Sequence, residues 1–378
     1  MSLDILPNEI INYIINYLVN TSDVINFSMT NKSNRKLVLN NRSYLNCISK
    51  FNEKFIDKIN TINIIGKIKL KIRHTDLHYI NNVYKYIDEL DLSRCINLNY
   101  LSIISKIKKI NLSYCNELTN VSMLGNCEEL NLSYCYNISD VSALREVKKL
   151  NLSHCLKIED VSMLGKCEEL NLSHCYLIDV SNLTDVIKLD LSSCNKISDV
   201  SKLGNCKELN LSFCKNVCDV SMLGNVVDLN LSHCYNVRDV SKLGKCKKLN
   251  LSFCNRITDV SALGNVEDLN LSSCINIRDV SALGNVKKLN LSWCDFIKNY
   301  IMLGNCEELN LSWSKCVKDV STLGNVNILI LTGCNRIIDV SSLGNVKELD
   351  LSYCDRITDI SMLKNVIKLI RIGCENNV

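Results

Sequence analysis

One proline in 378 residues is the first thing this sequence lacks. Average usage would supply several times as many, so the usual loop punctuation is missing. The length alone suggests two or three domains of roughly 150 residues, but three ordinary domains would need more punctuation than this. Charge of one sign is missing too. Lys and Arg number 44 against 40 Asp and Glu, a net +4, too little to imply a nucleic-acid or membrane surface. No apolar run reaches the roughly eighteen residues of a membrane span. The start, MSLDILPNEIINYII, has no basic region ahead of an apolar one and carries Asp4 and Glu9, which argues against a signal peptide. With 47% hydrophobic and 22% charged residues the chain can bury a core, and disorder is excluded.

Cysteine is what the sequence has in excess: 22 residues. Without an export signal the expected location is intracellular, cytoplasmic or nuclear, where thiols stay reduced. The cysteines therefore need an origin other than a disulfide framework.

That origin is repetition. A unit L-N-L-S-x-C-x-x-I-x-D-V-S-x-L-G-N-V-x-x recurs from Leu90, with first positions at Leu90, Ile110, Leu130, Leu150, Leu170, Leu189 and onward to Leu369. The period is 20 residues except in the unit at Leu170, which is 19 long and reads as having lost a residue between Ile178 and Asp179. Cysteine fills the sixth position in fourteen of fifteen units; the exception is Ser314, with Cys316 two residues on. Cys127, Cys167, Cys206, Cys246 and Cys306 share the eighteenth position.

The unit has a direct physical reading. L-x-L turns two leucines inward from a short strand, with Asn and Ser expected on the other face. Apolar residues at positions 9, 12, 15 and 18 bring the return path back onto the same core. One coil cannot bury this face alone, so the coils must stack into a solenoid. The sixth-position thiol is expected buried, its S–H facing backbone carbonyls. Asp at position eleven, as in Asp140, Asp160 and Asp199, is placed to cap a short helical turn. The expected fold is an α/β solenoid: a short parallel sheet of about fifteen repeats with a thin convex side of turns or 3₁₀ pieces.

V-x-x-L-N-L-S-x-C-x-x-I, as in Val266 to Ile277, resembles the cysteine-containing leucine-rich repeat, and D-V-S-x-L resembles the short return segment of internalin-like repeats. The resemblance covers about three quarters of the chain.

In near-identical copies, divergence informs more than uniformity. Position five reads Arg94, Tyr114, Tyr134, His154, His174, Ser193, Phe213, His233, Phe253, Ser273, Trp293, Trp313, Gly333, Tyr353 and Gly373. Placed at the strand end and pointing outward on the concave face, its ten aromatic or His residues have the composition of a protein-binding surface. The competing reading is that the rings cover neighbouring backbone and stiffen the sheet. Trp293 and Trp313, the only two tryptophans, occupy adjacent units, and nearby Asn299-Tyr300-Ile301 replaces Asp-Val-Ser; this is the expected centre of binding. Residue pairs at positions nineteen and twenty alternate in sign from unit to unit, as in Lys108-Lys109 and Glu128-Glu129, which reads as register and solubility.

Two tempting motifs lead nowhere. N-L-S is a glycosylation sequon, but it occurs on adjacent strands ~4.8 Å apart, too close for every copy to carry a glycan. Ser-His-Cys at 153–155, 173–175 and 232–234 places His and Cys on opposite faces, unsuited to shared metal ligation or proton transfer. With no phosphate loop or catalytic constellation, no enzyme, metal or cofactor is expected.

The N-terminal residues 1–45 differ. Leu6-Pro7-Asn8-Glu9-Ile10 opens a helix with Pro in its first turn, and Ile10, Ile14 and Leu18 form an apolar face. Ser22 or Asp23 can cap a second helix carrying Val24 and Phe27, and a third begins near Asn31. This stretch resembles the F-box, although its third helix lacks the frequent Cys and Trp. The resemblance implies docking onto a Skp-type adaptor of cullin–RING ubiquitin ligases through Leu6, Pro7, Ile10, Ile14, Leu18 and Val24. A plain helical cap for the solenoid is the alternative. Residues 46–89 join the two parts, with helix expected over 44–58 and 76–87 and a strand over 67–73, ahead of the solenoid at 90–378.

The expectation is a substrate receptor: the F-box recruits the ligase, and Tyr114, Tyr134, His154, His174, Phe213, His233, Phe253, Trp293, Trp313 and Tyr353 hold a target protein, without nucleic acid or membrane. A scaffold that binds or sequesters a partner without ligase recruitment is the alternative.

Overall fold

Each repeat forms one coil: a three-residue strand, a tight turn, and a return path of turns or a single 3₁₀ turn. In this computed structural model, residues 44–45, 68–71, 84–96, 98 and 101–374 are described. They fall in two compact units divided between Cys175 and Tyr176. The helices expected over residues 1–45, with Leu6, Pro7, Ile10, Ile14, Leu18 and Val24, lie outside the described residues.

In the first unit β1 (Tyr44–Leu45), β2 (Ile68–Lys71), β3 (Ile87–Asp91), β4 (Lys109–Asn111), β5 (Glu129–Asn131), β6 (Lys149–Asn151) and β7 (Glu169–Asn171) pair in sequence order, all parallel. The expected strand at 67–73 is present as β2. Of the two expected helices, only the ends fall on described residues, and there they are corrected: Tyr44 and Leu45 are strand residues, and Tyr84–Tyr86 is one 3₁₀ turn leading straight into β3, while 46–58 and 76–83 lie outside the described residues. Pairing beside β2 and β3 outweighs helical spacing in these short stretches. A short helix α1 (Leu101–Ile104) replaces the usual return path.

The second unit runs from β8 (Lys188–Asp190) through β9 (Glu208–Asn210), β10 (Asp228–Asn230), β11 (Lys248–Asn250), β12 (Asp268–Asn270), β13 (Lys288–Asn290), β14 (Glu308–Asn310), β15 (Ile328–Ile330) and β16 (Glu348–Asp350) to β17 (Lys368–Ile370), again parallel and in order. The register places identical positions opposite one another: Leu229 faces Leu209 and Leu249, and Asn230 faces Asn210 and Asn250. A shared period leaves no other alignment that keeps every leucine inside.

The core is as the spacing predicts. Leu130, Leu132, Cys135, Ile138, Val141, Leu144 and Val147 of one coil are all buried. At roughly 25 cal/mol per Å² of apolar area, this stacked interior is the main stabilising contribution. The return side is thin: a three-residue 3₁₀ turn such as Ser142–Leu144 or Ser162–Leu164. Asp140 Oδ1 accepts the Ser142 N–H at 2.9 Å, and the same bond recurs at Asp160, Asp199 and Asp219. The aspartates therefore stand one residue ahead of the valine that caps the turn and tie its entrance by an Asx-type bond rather than capping it themselves, and these bonds hold their carboxyls below the usual range.

The short coil departs from its expected reading. By spacing, Ile178 should be buried, but it is 69% exposed while Leu177 is fully buried. The missing residue therefore lies before Leu177, because the interior accepts one apolar side chain at that level and Leu177 fills it. The serine after each L-x-L is a second correction. Ser113, Ser133, Ser153 and Ser232 are buried, and their N–H groups bond to Asn111, Asn131, Asn151 and Asn230 Oδ1 at 3.0 Å. The asparagine turns the chain instead of merely facing water.

The sixth-position thiols behave as expected. Cys135 Sγ donates to Leu112 O at 3.1 Å, Cys155 to Leu132 O at 3.2 Å and Cys254 to Leu231 O at 3.1 Å, each reaching the preceding coil. Burial pushes the thiols of Cys135, Cys155 and Cys254 up to about 12. All cysteines among the described residues are free.

Candidate protein-binding face

Position five lies beyond the strand, in the turn that the asparagine initiates. Arg94, Tyr114, Tyr134, His154, His174, Ser193, Phe213, His233, Phe253, Ser273, Trp293, Trp313 and Tyr353 all have φ between 58° and 63°. The expected place at the strand end is thereby corrected, although the side chains do point outward: these residues occupy the left-handed region, which costs an L-residue about 1–2 kcal/mol. The cost is borne because the turn brings each N–H to the next coil, Tyr114 N–H to Ser133 O at 2.8 Å and Phe213 N–H to Ser232 O at 2.8 Å. Each side chain is also set directly over its neighbour.

The rings then stack face to face. In the first unit Tyr114 and Tyr134 lie 4.4 Å apart at 4°, Tyr134 and His154 4.1 Å apart at 12°, and His154 and His174 4.1 Å apart at 13°. The Arg94 guanidinium lies 4.9 Å from the Tyr114 ring centre and closes that run with a cation–π contact. In the second unit His233 stacks between Phe213 and Phe253 at 4.1 and 4.2 Å. Trp293 and Trp313 lie 5.4 Å apart at 15°. Ser273 and Gly333 interrupt the second unit's row, and Tyr353 meets Trp313 across Gly333 at 6.0 Å.

This geometry gives both sequence readings a part. Ring faces are consumed by neighbouring rings, each such pair contributing about 0.5–1.5 kcal/mol, while the edges stay in water. Trp293 is 52% exposed and Phe213, Phe253 and Tyr353 are comparably open. Burial lowers the His154 and His233 imidazoles below their ordinary value, with His174 adding to the effect at His154.

The broken pattern at Asn299-Tyr300-Ile301 is a structural repair. Tyr300 is buried at the valine position, and its hydroxyl accepts the N–H groups of Lys318 and Asp319, both at 3.1 Å. Asn299 takes a left-handed turn with φ 58°. Ser314 replaces the sixth-position thiol, donating to Leu291 O at 3.1 Å and accepting the Cys294 N–H at 3.3 Å. Tyr300 and Ser314 face inward, whereas Asn299 and Ile301 are exposed on the return side.

The charge alternation forms the expected rungs. Lys109 pairs with Glu129 at 3.0 Å, Lys149 with Glu169 at 3.0 Å and Lys188 with Glu208 at 2.9 Å. The alternation breaks twice, where the carboxylates Glu208 and Asp228 lie side by side and where Ile328 stands in place of a charge, a break sequence reasoning passed over. Among the described residues no group of three His, Cys, Asp or Glu side chains can hold a metal, and no helix is long and apolar enough to cross a membrane. His154 sits in the ring stack while Cys155 is buried against Leu132 O, so the adjacent pair shares no site.

Residues 3–46 match the F-box domain, and residues 345–364 match the leucine-rich repeat. No curated protein matches the chain. Among solved structures, an internalin (inlF) of Listeria monocytogenes is 24% identical, with a TM-score of 0.55 over 69% of this chain and 85% of that one. TLR13 in its complex with ssRNA13 is 19% identical, with a TM-score of 0.60 over 88% of this chain and 61% of that one. A leucine-rich repeat protein of Leptospira interrogans is 17% identical, with a TM-score of 0.51 over 80% and 94%. These likenesses establish the leucine-rich-repeat fold.

Proposed function

We propose that this chain, an F-box followed by leucine-rich repeats, is the substrate-recognition subunit of a cullin–RING ubiquitin ligase. The observation that carries the reading is the F-box match at residues 3–46 ahead of a solenoid with an exposed row of ring edges. Leu6, Pro7, Ile10, Ile14, Leu18 and Val24 dock the Skp-type adaptor, and the position-five rings with the strand face beside them receive the target protein. The chain performs no chemistry itself. It raises the target's effective concentration at the ligase, and proximity supplies the acceleration.

The test is capture of a purified Skp-type adaptor by the full chain. Wild type should retain the adaptor, and the Leu6→Ala/Pro7→Ala double variant should lose it while keeping the far-ultraviolet spectrum of the repeats. Failure of wild type to retain the adaptor, or indifference to the double substitution, leaves a scaffold that holds a partner without a ligase.

A further inference from the structure

In the second unit the outward residues at the start of successive strands β13 to β17 are Lys288, Glu308, Ile328, Glu348 and Lys368, directly opposite one another in register. The series is symmetric about Ile328. Lys288 pairs with Glu308 at 2.5 Å and Lys368 with Glu348 at 3.0 Å, so each carboxylate is drawn to the lysine on its far side. In the regular ladder a carboxylate row has lysine on both sides, as Glu129 has Lys109 and Lys149. At β15 the cation that would stand between Glu308 and Glu348 is replaced by an aliphatic side chain.

The strand also changes at its other outward position. Ile330 interrupts the asparagine row, opposite Asn310 and Asp350. Farther along the same coil, Gly333 leaves the Trp313 ring to lie over bare backbone. The result is a half-buried aliphatic strip, Ile328 and Ile330, leading to an indole, with carboxylates on both neighbouring strands. Adjacent strands lie ~4.8 Å apart, which places the two flanking rows about 10 Å from each other. That gap holds one extended side chain lying on Ile328.

We propose that this strip is where the target is read, and that it takes a basic side chain, Arg or Lys, from an otherwise apolar segment. The partner's cationic head occupies the missing rung between Glu308 and Glu348. Its methylene stem covers Ile328, and the following apolar residues lie on Ile330 toward Trp313. An acidic segment would meet Glu308, Glu348 and Asp350 and is rejected; a wholly apolar one would partly desolvate both carboxylates and their pairs with Lys288 and Lys368 while adding no compensating charge. This inference rests on the reading of the strand face as the target-binding surface.

The test uses Ile328→Lys, which restores the alternation. Lysine is native at this strand position in β8, β11, β13 and β17, so the variant should fold and form its own pairs with Glu308 and Glu348, filling the rung from within. The full chain is immobilised and offered degenerate peptide pools that are fixed at one position as Arg, Lys, Leu or Glu. Wild type should retain the Arg and Lys pools roughly tenfold over the Glu pool, and Ile328→Lys should abolish that preference. Glu308→Gln/Glu348→Gln should weaken it without altering the circular dichroism. Preference for the Leu or Glu pool, retention of no pool, or an undiminished basic preference in Ile328→Lys overturns the site. Adaptor capture is measured on the same proteins and should be identical in Ile328→Lys. Its loss in wild type refutes ligase recruitment and leaves the peptide preference to be judged separately.

Discussion

The indole of Trp313 lies over the backbone of Gly333 so closely that a Cβ on the glycine would sit 2.4 Å from Cε3 and 2.6 Å from Cδ2. Gly333 also has φ +71°. Gly333→Ala should therefore add a left-handed backbone penalty of about 1–2 kcal/mol and lift the ring away. In a Trp293→Phe background Trp313 is the sole tryptophan, so its emission should shift to the red on substitution. An unchanged spectrum would contradict the overlap.

Stacking and backbone strain can be separated at two other coils. Ser273 has φ 58° and no ring to place in the row, whereas Tyr134 is sandwiched by Tyr114 and His154. Ser273→Gly relieves the left-handed strain and should change stability by a gain of at most about 1 kcal/mol, after the added freedom of the unfolded chain is subtracted. Tyr134→Gly gains the same relief but loses two stacked ring contacts and an edge contact with Tyr136, about 0.5–1.5 kcal/mol each, and should be the less stable of the two in urea. The reverse order would remove stacking as the reason for tolerating the strain.

Acid should weaken the ring rows. Burial, with His174 beside it, lowers His154 below its ordinary value of 6.5, and burial lowers His233 likewise. As the pH falls through that ordinary value the unfolded chain binds protons before the folded one does. The stabilisation is thus complete above about 6.5 and is lost progressively below it. The melting temperature of wild type should fall between neutral and mildly acidic buffer, and His154→Phe/His233→Phe should flatten that dependence. Equal slopes in the two proteins would count against it.

Thiol chemistry should distinguish position six from the rest. Cys214, Cys254 and Cys334 are buried and pushed up to about 12, so little thiolate forms at pH 8 and access is blocked. Cys218 is the exposed cysteine among the described residues. Brief alkylation followed by peptide mass mapping should label Cys218 well before those three. Comparable labelling at Cys254 would mean that the coils open readily.

Much of this was readable in advance because one coil was written many times. Leucine spacing sets the strand, aspartate sets the thin return turn, and the sixth-position thiol sets the bond to the preceding coil, and each copy repeats the evidence. Position five departs from its expectation in backbone terms. Ring composition announces an exposed row, but the left-handed turn depends on Asn111 Oδ1 reaching the Ser113 N–H, a bond that strand alternation does not suggest. Nominal spacing puts Ile178 in the interior because counting from the strand cannot tell on which side of Leu177 the residue is missing; burial can. The break at Ile328 was visible as a substitution, but its meaning depends on which lysine each neighbouring glutamate turns toward, and pairing of that kind is decided in three dimensions. The docking residues from Leu6 to Val24 rest on their sequence pattern and the F-box match.

Between Leu211 and Cys234, one coil to the next, the main chain reaches forward from Leu211 N–H to Asn230 O while the thiol reaches back to Leu211 O. Most junctions in the second unit repeat this two-way clasp, so a coil excised or copied whole rejoins its neighbours with every bond replaced in kind. Length in such a molecule varies in integral steps of one coil, each moving Ile328 by about 4.8 Å relative to coils beyond the change. Unequal exchange between near-identical copies is then a route to a different reach with the same surface chemistry.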